Sequence, residues 1–97
     1  MPKGYWIAHV TVSDAEKYPD YVAGARAAFE AHGARFLARG GAWTDCEGGL
    51  GRERHVVIEF PSYQAAIDCY NSDTYQAARA HRLEAGTATV IVTEGLD

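Results

Sequence analysis

The 97-residue sequence lacks several features that mark specialised classes of protein. Its two cysteines, Cys46 and Cys69, match neither a Cys-x-x-Cys redox motif nor a metal-finger spacing. We therefore predict two reduced thiols, a cytoplasmic location and no metal site. No apolar run approaches the roughly 20 residues of a membrane-spanning helix. No signal-peptide pattern follows Met1, so we expect neither membrane insertion nor export.

Charge of one sign is also not concentrated anywhere in the chain. Thirteen acidic and nine basic residues give a net charge of -4, and the arginines are scattered. Without a basic stripe, nucleic-acid binding is not expected. The hydrophobic fraction of 47% and the charged fraction of 23% are typical of a folded globular protein. The length fits one domain, which we place at residues 1–97.

The periodicity of the sequence predicts four strands and two helices. Apolar and β-branched runs closed by turn residues predict strands at residues 4–12, 34–43, 54–60 and 87–93. A 3.6-residue apolar period predicts a helix with Pro19 in its first turn, ended by Gly33. A second helix begins after Ser62 and is broken and recapped at residues 71–73. This order predicts a ferredoxin-like α+β fold (βαββαβ), with a four-stranded antiparallel sheet and both helices on one face.

The other face of the predicted sheet has a mixed composition. Because side chains alternate along a strand, His9, Arg39, His55 and Glu59 share this face with several apolar residues. Those apolar residues are Tyr5, Ile7, Leu37, Val57 and Ile91. The face is too apolar for plain solvent exposure and too polar for a dry core. We predict that it joins a second copy of the chain, so that a homodimer encloses a cavity.

Four ordered segments resemble a known family. They are Gly4-Tyr5-Trp6-Ile7, Phe36-Leu37-Ala38-Arg39-Gly40-Gly41, Val56-Val57-Ile58-Glu59-Phe60-Pro61-Ser62, and Tyr70-Asn71-Ser72 followed by Tyr75-Gln76. Together they resemble the bacterial domain-of-unknown-function family 1330 over nearly the whole chain. The resemblance implies a dimeric α/β barrel, related in architecture to antibiotic-biosynthesis monooxygenases. It implies no particular reaction, because fold kinship alone does not define chemistry.

The candidate catalytic residues are His9 and Glu59, with Arg39 beside them on the predicted cavity face. Glu59 would orient the His9 imidazole as a general base, and the Arg39 guanidinium would bind an anionic group. The alternative is an Arg39–Glu59 ion pair at the dimer interface, with His9 packed beside it. His55 lies on the same face next to a loop, where a solvated edge position is expected.

Three further residues are candidates for substrate binding. Gly40, in Arg39-Gly40-Gly41, indicates either a bulge approached by a ligand or a simple kink of the strand. Tyr70 and Tyr75 flank the helix break, where their hydroxyls could line a pocket mouth or their rings could pack beneath the break. Arg79 and Arg82 share a helix face that could bind a carboxylate, although we expect a solvated face on which they pair with Glu84 or another acid.

Two classes of function remain open at this point. The cavity could bind or transform a small anionic or aromatic metabolite, by proton transfer or monooxygenation without a cofactor. Alternatively, the protein is a non-catalytic dimeric binding or assembly module whose polar cavity residues determine dimer specificity. The expected partners are a second copy of the chain and a small-molecule ligand, with no nucleic acid and no membrane. The sequence leaves open whether the protein is an enzyme.

Overall fold

A computed structural model describes residues 2–96 of the chain. The elements in order are β1 (Gly4–Val12), α1 (Tyr18–Ala31), β2 (Arg35–Arg39), β3 (Arg54–Phe60), α2 (Tyr63–Asn71), α3 (Asp73–Ala85) and β4 (Gly86–Glu94). The strands form one antiparallel sheet in the order β2-β3-β1-β4. The predicted ferredoxin-like α+β fold is confirmed. None of the helices within residues 2–96 is long and apolar enough to cross a membrane.

The second predicted helix is divided into α2 and α3, and each of the two helices begins at a serine cap. Ser62 accepts a hydrogen bond from the Ala65 amide at 3.0 Å and begins α2. The Ser72 hydroxyl donates to the Cys69 carbonyl at 2.7 Å and accepts from the Tyr75 amide at 3.2 Å. One residue therefore ends α2 and begins α3 by satisfying backbone groups of both helices.

Strand β2 is shorter than predicted. The sequence indicated residues 34–43, whereas the strand is Arg35–Arg39. Gly40 has a φ of +68°, in the left-handed region that favours glycine, and this ends the strand. The ladder with β3 also contains a bulge between Phe36 and Ala38. The bulge changes which face the following side chains occupy.

The core is centred on Trp6, whose ring is surrounded by other aromatic rings. Ring centroids lie 5.3 Å from Phe29, 5.6 Å from Phe60 and 5.0 Å from Tyr75. The indole N–H donates to the Ala66 carbonyl at 2.8 Å, so its buried polar atom is satisfied. These contacts join β1 to β3 and to all three helices.

Helix α1 packs mainly on α3 and has few contacts with the sheet. The approach of the two helices is close at Gly24, where an added Cβ would lie 3.1 Å from the Ala78 Cβ. Near the end of α1, Phe29 reaches the sheet and packs against Trp6 and Phe36. Apart from Phe29, α1 therefore stands away from the strands and leaves space beneath it.

Candidate functional site

A cavity of about 290 Å³ lies between α1 and the helix-facing side of the sheet. Its floor is buried and apolar, and its rim includes exposed polar residues. The floor includes Trp6, Ala8, Phe29, Val56 and Ile58. Four arginines and one glutamate also line it, namely Arg26, Arg39, Arg54, Arg82 and Glu30. The lining is therefore cationic in a protein whose net charge is -4.

Arg82 is the most buried of these charges, with a relative exposure of 4%. Its Nε has no hydrogen-bond partner. Among the residues that the structure describes, no carboxylate lies within ion-pair distance of it. A buried charge without a counter-ion costs several kcal/mol of folding free energy. The arrangement is therefore suited to receive an anion from outside the chain.

The prediction that Arg82 lies on a solvated face is wrong. On α3 it belongs to the buried stripe that includes Tyr75, Ala78 and Ala85, at spacings of three and four residues. Because the two alanines are small, they leave room for the Arg82 side chain in the space between α1 and the sheet. These spacings can be read from the sequence, and they indicate that Arg82 shares the buried face of the helix.

Two tyrosine hydroxyls meet next to Arg82. The Tyr21 and Tyr75 oxygens are 3.0 Å apart, and the Arg82 Cζ lies 5.7 Å from the Tyr21 ring centroid. Burial raises the pKa of both phenols above the ordinary value, while the Arg82 guanidinium acts in the opposite direction. Both hydroxyls are therefore protonated at neutral pH. The site offers phenolic O–H and guanidinium N–H donors to a ligand.

Arg39 lies on the face opposite to the predicted one. Because of the bulge, Ala38 pairs with Val57 and Arg39 pairs with Val56 on the helix-facing side. The Arg39 guanidinium stacks over the Phe36 ring, with Cζ 4.3 Å from the centroid, and lines the cavity. The predicted cluster of Arg39 with His9 and Glu59, and the alternative Arg39–Glu59 ion pair, are both wrong.

Because Gly40 has no side chain, the Arg54 guanidinium can lie close to its backbone. A Cβ at Gly40 would collide with the Arg54 guanidinium. Arg54 also lies 5.7 Å from the Tyr18 ring centroid, and its buried Nε has no hydrogen-bond partner. The Arg39-Gly40 segment therefore places two guanidinium groups on the cavity side of β2 and β3.

His9 and Glu59 share the open face of the sheet but do not meet. His9 pairs with His55 across β1 and β3, and their Nδ1 atoms are 2.8 Å apart. Glu59 pairs with Tyr5, four residues away along β1, and forms an ion pair with Lys3 at 3.1 Å. Four residues of strand span about 13 Å, so Glu59 does not orient the His9 ring.

His55 is half-buried rather than solvated. It forms the hydrogen bond to His9, and the Trp43 ring packs against it at 4.8 Å. The hydrogen bond between two Nδ1 atoms requires a proton on one of them and a lone pair on the other. This hydrogen bond therefore connects β1 and β3 through two side chains on the open face.

Of the two tyrosines at the helix break, Tyr75 lines the cavity and Tyr70 packs beside it. The Tyr70 ring lies 5.7 Å from Trp6 and 5.3 Å from Tyr75.

Cys69 is buried, and burial raises its thiol pKa to about 12, whereas Cys46 is exposed. Within residues 2–96, no group of three or more His, Cys, Asp and Glu side chains is placed to hold a metal ion.

Several solved structures share this fold. A protein of unknown function from Rhodopseudomonas palustris is 19% identical, with a TM-score of 0.77, covering 99% of this chain and 84% of that one. SnoaB from Streptomyces nogalater, a cofactor-independent oxygenase, is 11% identical, with a TM-score of 0.66, covering 100% and 96%. A dimeric protein of unknown function with a ferredoxin-like fold from Bacteroides fragilis is 15% identical, with a TM-score of 0.57, covering 95% of both chains.

These identities are low, so the similarity shows the fold and does not show an activity. No curated protein matches the chain. The family model described as domain of unknown function (DUF1330) matches residues 3–96. This match spans nearly the whole sequence and confirms the resemblance found in its four ordered segments. The chain belongs to the DUF1330 family.

Proposed function

We propose that the cavity beneath α1 binds a small anionic aromatic metabolite. The observation that carries the proposal is the buried Arg82 guanidinium, which lines the cavity with an unpaired Nε. An unpaired charge in a low-dielectric site is costly, and a bound anion would offset that cost. Three more arginines in the lining would favour the same charge.

The size and the lining of the cavity favour an aromatic ligand. A cavity of roughly 150 Å³ accommodates benzene, so about 290 Å³ fits a compound with one or two rings. Aromatic side chains contribute much of the wall, including Trp6, Tyr18, Tyr21, Phe29 and Tyr75. Flat rings pack well against such side chains in stacked or edge-to-face arrangements.

Benzoate and its neutral isostere benzamide provide the test. We expect benzoate to bind more tightly than benzamide in calorimetric titrations, because only benzoate supplies a counter-ion. Arg82→Met should remove this preference. Arg79→Met is the matched control, because Arg79 lies on the same helix and also has a buried Nε without a hydrogen-bond partner, but it does not line the cavity. Equal binding of the two compounds, or a preference that persists in Arg82→Met, would contradict the proposal.

A reaction in the same cavity is a second candidate function. The phenol pair and Arg82 would stabilise an enolate formed from a bound ligand, and Glu30 is the carboxylate of the lining that could accept the proton. SnoaB, which has the same fold, is a cofactor-independent oxygenase. An enolate can react with O₂ so that a CH₂ group becomes a carbonyl and the second oxygen atom leaves as water.

The reaction can be tested with 2-indanone, a two-ring ketone with acidic CH₂ groups. Hydrogen exchange in D₂O reports proton transfer, and an oxygen electrode reports oxygenation. We expect Glu30→Gln to slow the exchange, with Asp20→Asn as a control, because Asp20 is a carboxylate on the same helix that does not line the cavity. Exchange and oxygen uptake at the rates of buffer alone would contradict a catalytic role and leave the binding role in place.

We also infer that the open face of the sheet joins a second copy of the chain. Val57, Ile7 and Ile91 are directly opposite one another on β3, β1 and β4, so they form an apolar row across three strands. Ile91 is 53% exposed in the single chain. The Bacteroides fragilis neighbour is described as dimeric. Such a row is typical of a surface that is covered in an assembly.

Light scattering tests this assembly. We expect a dimer for the wild type and a monomer for Ile91→Glu, because the substitution would bury a charge in the interface. Leu83→Glu is the control, since Leu83 is 58% exposed on α3, on the other side of the sheet. A monomeric wild type would contradict the inference.

The His9–His55 pair lies in the adjacent row and supports the non-catalytic alternative, in which polar groups of the open face determine dimer specificity. A polar pair at an interface favours one register over others. Under this alternative, His9→Ala would weaken the dimer and leave benzoate binding unchanged. Loss of benzoate binding with an intact dimer would contradict it.

A further inference from the structure

Two of the arginines that line the cavity have the same unpaired atom. The Nε atoms of Arg54 and Arg82 are both buried and have no hydrogen-bond partner. The Arg54 Cζ lies 5.7 Å from the Tyr18 ring centroid, and the Arg82 Cζ lies 5.7 Å from the Tyr21 ring centroid. The two ring centroids are 5.5 Å apart. Each ring of this adjacent pair therefore has an unpaired guanidinium group beside it.

The charges of the cavity lining do not balance. Against four arginines, the described part of the lining has one carboxylate, Glu30. Glu30 lies four residues after Arg26 on α1 and both are exposed, so it mainly offsets the charge of Arg26. Within residues 2–96, no ion pair involves an arginine of the lining. Arg54 and Arg82 are therefore left without a counter-ion from the described part of the chain.

One negative charge on a ligand does not satisfy both guanidinium groups. A carboxylate bound at Arg82 leaves the buried Nε of Arg54 unpaired, and the ligand would also displace water from the cavity around it. A second carboxylate would accept charge-assisted hydrogen bonds from Arg54 and offset its charge. The exposed Arg39 has no such requirement, because water solvates its charge.

We propose that the ligand is an aromatic dicarboxylate, with one carboxylate at Arg82 and the second at Arg54. This inference rests on the proposed binding function and adds a second negative charge to the ligand. Benzoate, which has a single carboxylate, would bind at Arg82 and leave Arg54 unpaired.

The test changes the charge of the ligand and keeps its size. Phthalate, isophthalate and terephthalate hold two carboxylates at three different spacings on one ring. Each is titrated into the wild type at neutral pH beside its monoamide, which is almost the same size and has one negative charge less. The dicarboxylate that binds most tightly should exceed its monoamide about tenfold in affinity, as expected for a hydrogen bond between charged groups.

Variants of the two arginines assign the carboxylates. Arg54→Met should abolish the preference for the dicarboxylate and leave the affinity for the monoamide nearly unchanged. Arg54→Lys should retain part of the preference, because lysine keeps the charge without the planar fork of arginine. Arg82→Met should weaken the binding of both compounds. Arg79→Met is the matched control, since its Nε is also buried and unpaired but it does not line the cavity.

The outcomes separate this inference from the proposed function. Circular dichroism and thermal unfolding first confirm that each variant is folded. If every dicarboxylate binds no more tightly than its monoamide, while benzoate still binds more tightly than benzamide, the proposed function stands and the second charge is refuted. If the preference for the dicarboxylate persists in Arg54→Met, the assignment to Arg54 is refuted. If none of these compounds binds, both the proposed function and this inference are refuted.

Discussion

Arg82→Met should stabilise the ligand-free protein, although it removes the group that we propose as the main anion contact. Arg82 is 4% exposed and has no carboxylate partner within residues 2–96. The contacts that stabilise its buried charge are the Tyr75 hydroxyl and the face of the Tyr21 ring, whose centroid lies 5.7 Å from the Arg82 Cζ. A cation over an aromatic ring contributes about 0.5–2 kcal/mol, less than the several kcal/mol that desolvation of the charge costs.

Replacing buried charges with apolar side chains of similar size is often neutral or stabilising by about 1–4 kcal/mol. Methionine is flexible enough to fill part of the space of the arginine chain. In a domain of this size, each 1 kcal/mol shifts the midpoint of thermal unfolding by about 4–8 °C. We therefore expect the midpoint of ligand-free Arg82→Met to rise by about 4 °C or more.

Differential scanning calorimetry of the dialysed protein, at the same concentration for each variant, measures this effect. Arg79→Met should give a smaller change, because Arg79 also has an unpaired Nε but is only partly buried and lies outside the cavity. Benzoate should stabilise the wild type and not Arg82→Met. If Arg82→Met destabilised the ligand-free protein by several kcal/mol, the guanidinium would be part of a structural network and would not be an uncompensated charge.

Three other predictions concern single residues or pairs. Gly40→Ala should destabilise the protein by about 1 to 3 kcal/mol in urea unfolding, because Gly40 has a φ of +68° and faces the Arg54 guanidinium. A thiol reagent should modify Cys46 in the native protein and Cys69 only after unfolding, since Cys69 is buried with a pKa raised to about 12. Because burial raises the pKa of Tyr21 and Tyr75 above 10.0, the stability that they contribute is complete below pH about 10 and is lost as pH rises further. In an alkaline titration, their ionisation should therefore coincide with unfolding.

Each of these predictions has a result that would contradict it. If Gly40→Ala were as stable as the wild type, a side chain at position 40 would strain neither the left-handed backbone nor the contact with Arg54. Rapid modification of two thiols in the native protein would show that Cys69 is accessible. Ionisation of all six tyrosines before any loss of helical signal would show that Tyr21 and Tyr75 are not held in a dry site.

The fold could be predicted from the sequence because its determinants are local. Strands β1 and β3 have the predicted bounds, and their alternation gives the correct buried faces. Ser62 and Ser72 cap helices through contacts three residues away, so the sequence around each serine is sufficient to place them. Gly33, with a φ of +73°, follows the helix as predicted.

The site could not be predicted in the same way, because it depends on strand register and helix packing. A single extra residue between Phe36 and Ala38 moves Arg39 from the open face to the cavity, and no turn signal marks the bulge. His9 and Glu59 alternate correctly along their strands, but their separation follows from the pairing of β1 with β3. The cavity exists because α1 packs on α3 and stands off the sheet, which is a tertiary property.

The most direct test of the central claim is an NMR titration that observes the arginine Nε–H groups. We expect the Arg82 Nε–H signal to shift when benzoate is added, because the carboxylate becomes its hydrogen-bond partner. The Arg79 signal should not move, and benzamide should leave both unchanged. If benzoate instead perturbed His9 and His55 on the open face and left Arg82 unchanged, the ligand site would lie on the other side of the sheet, which would contradict a binding site beneath α1.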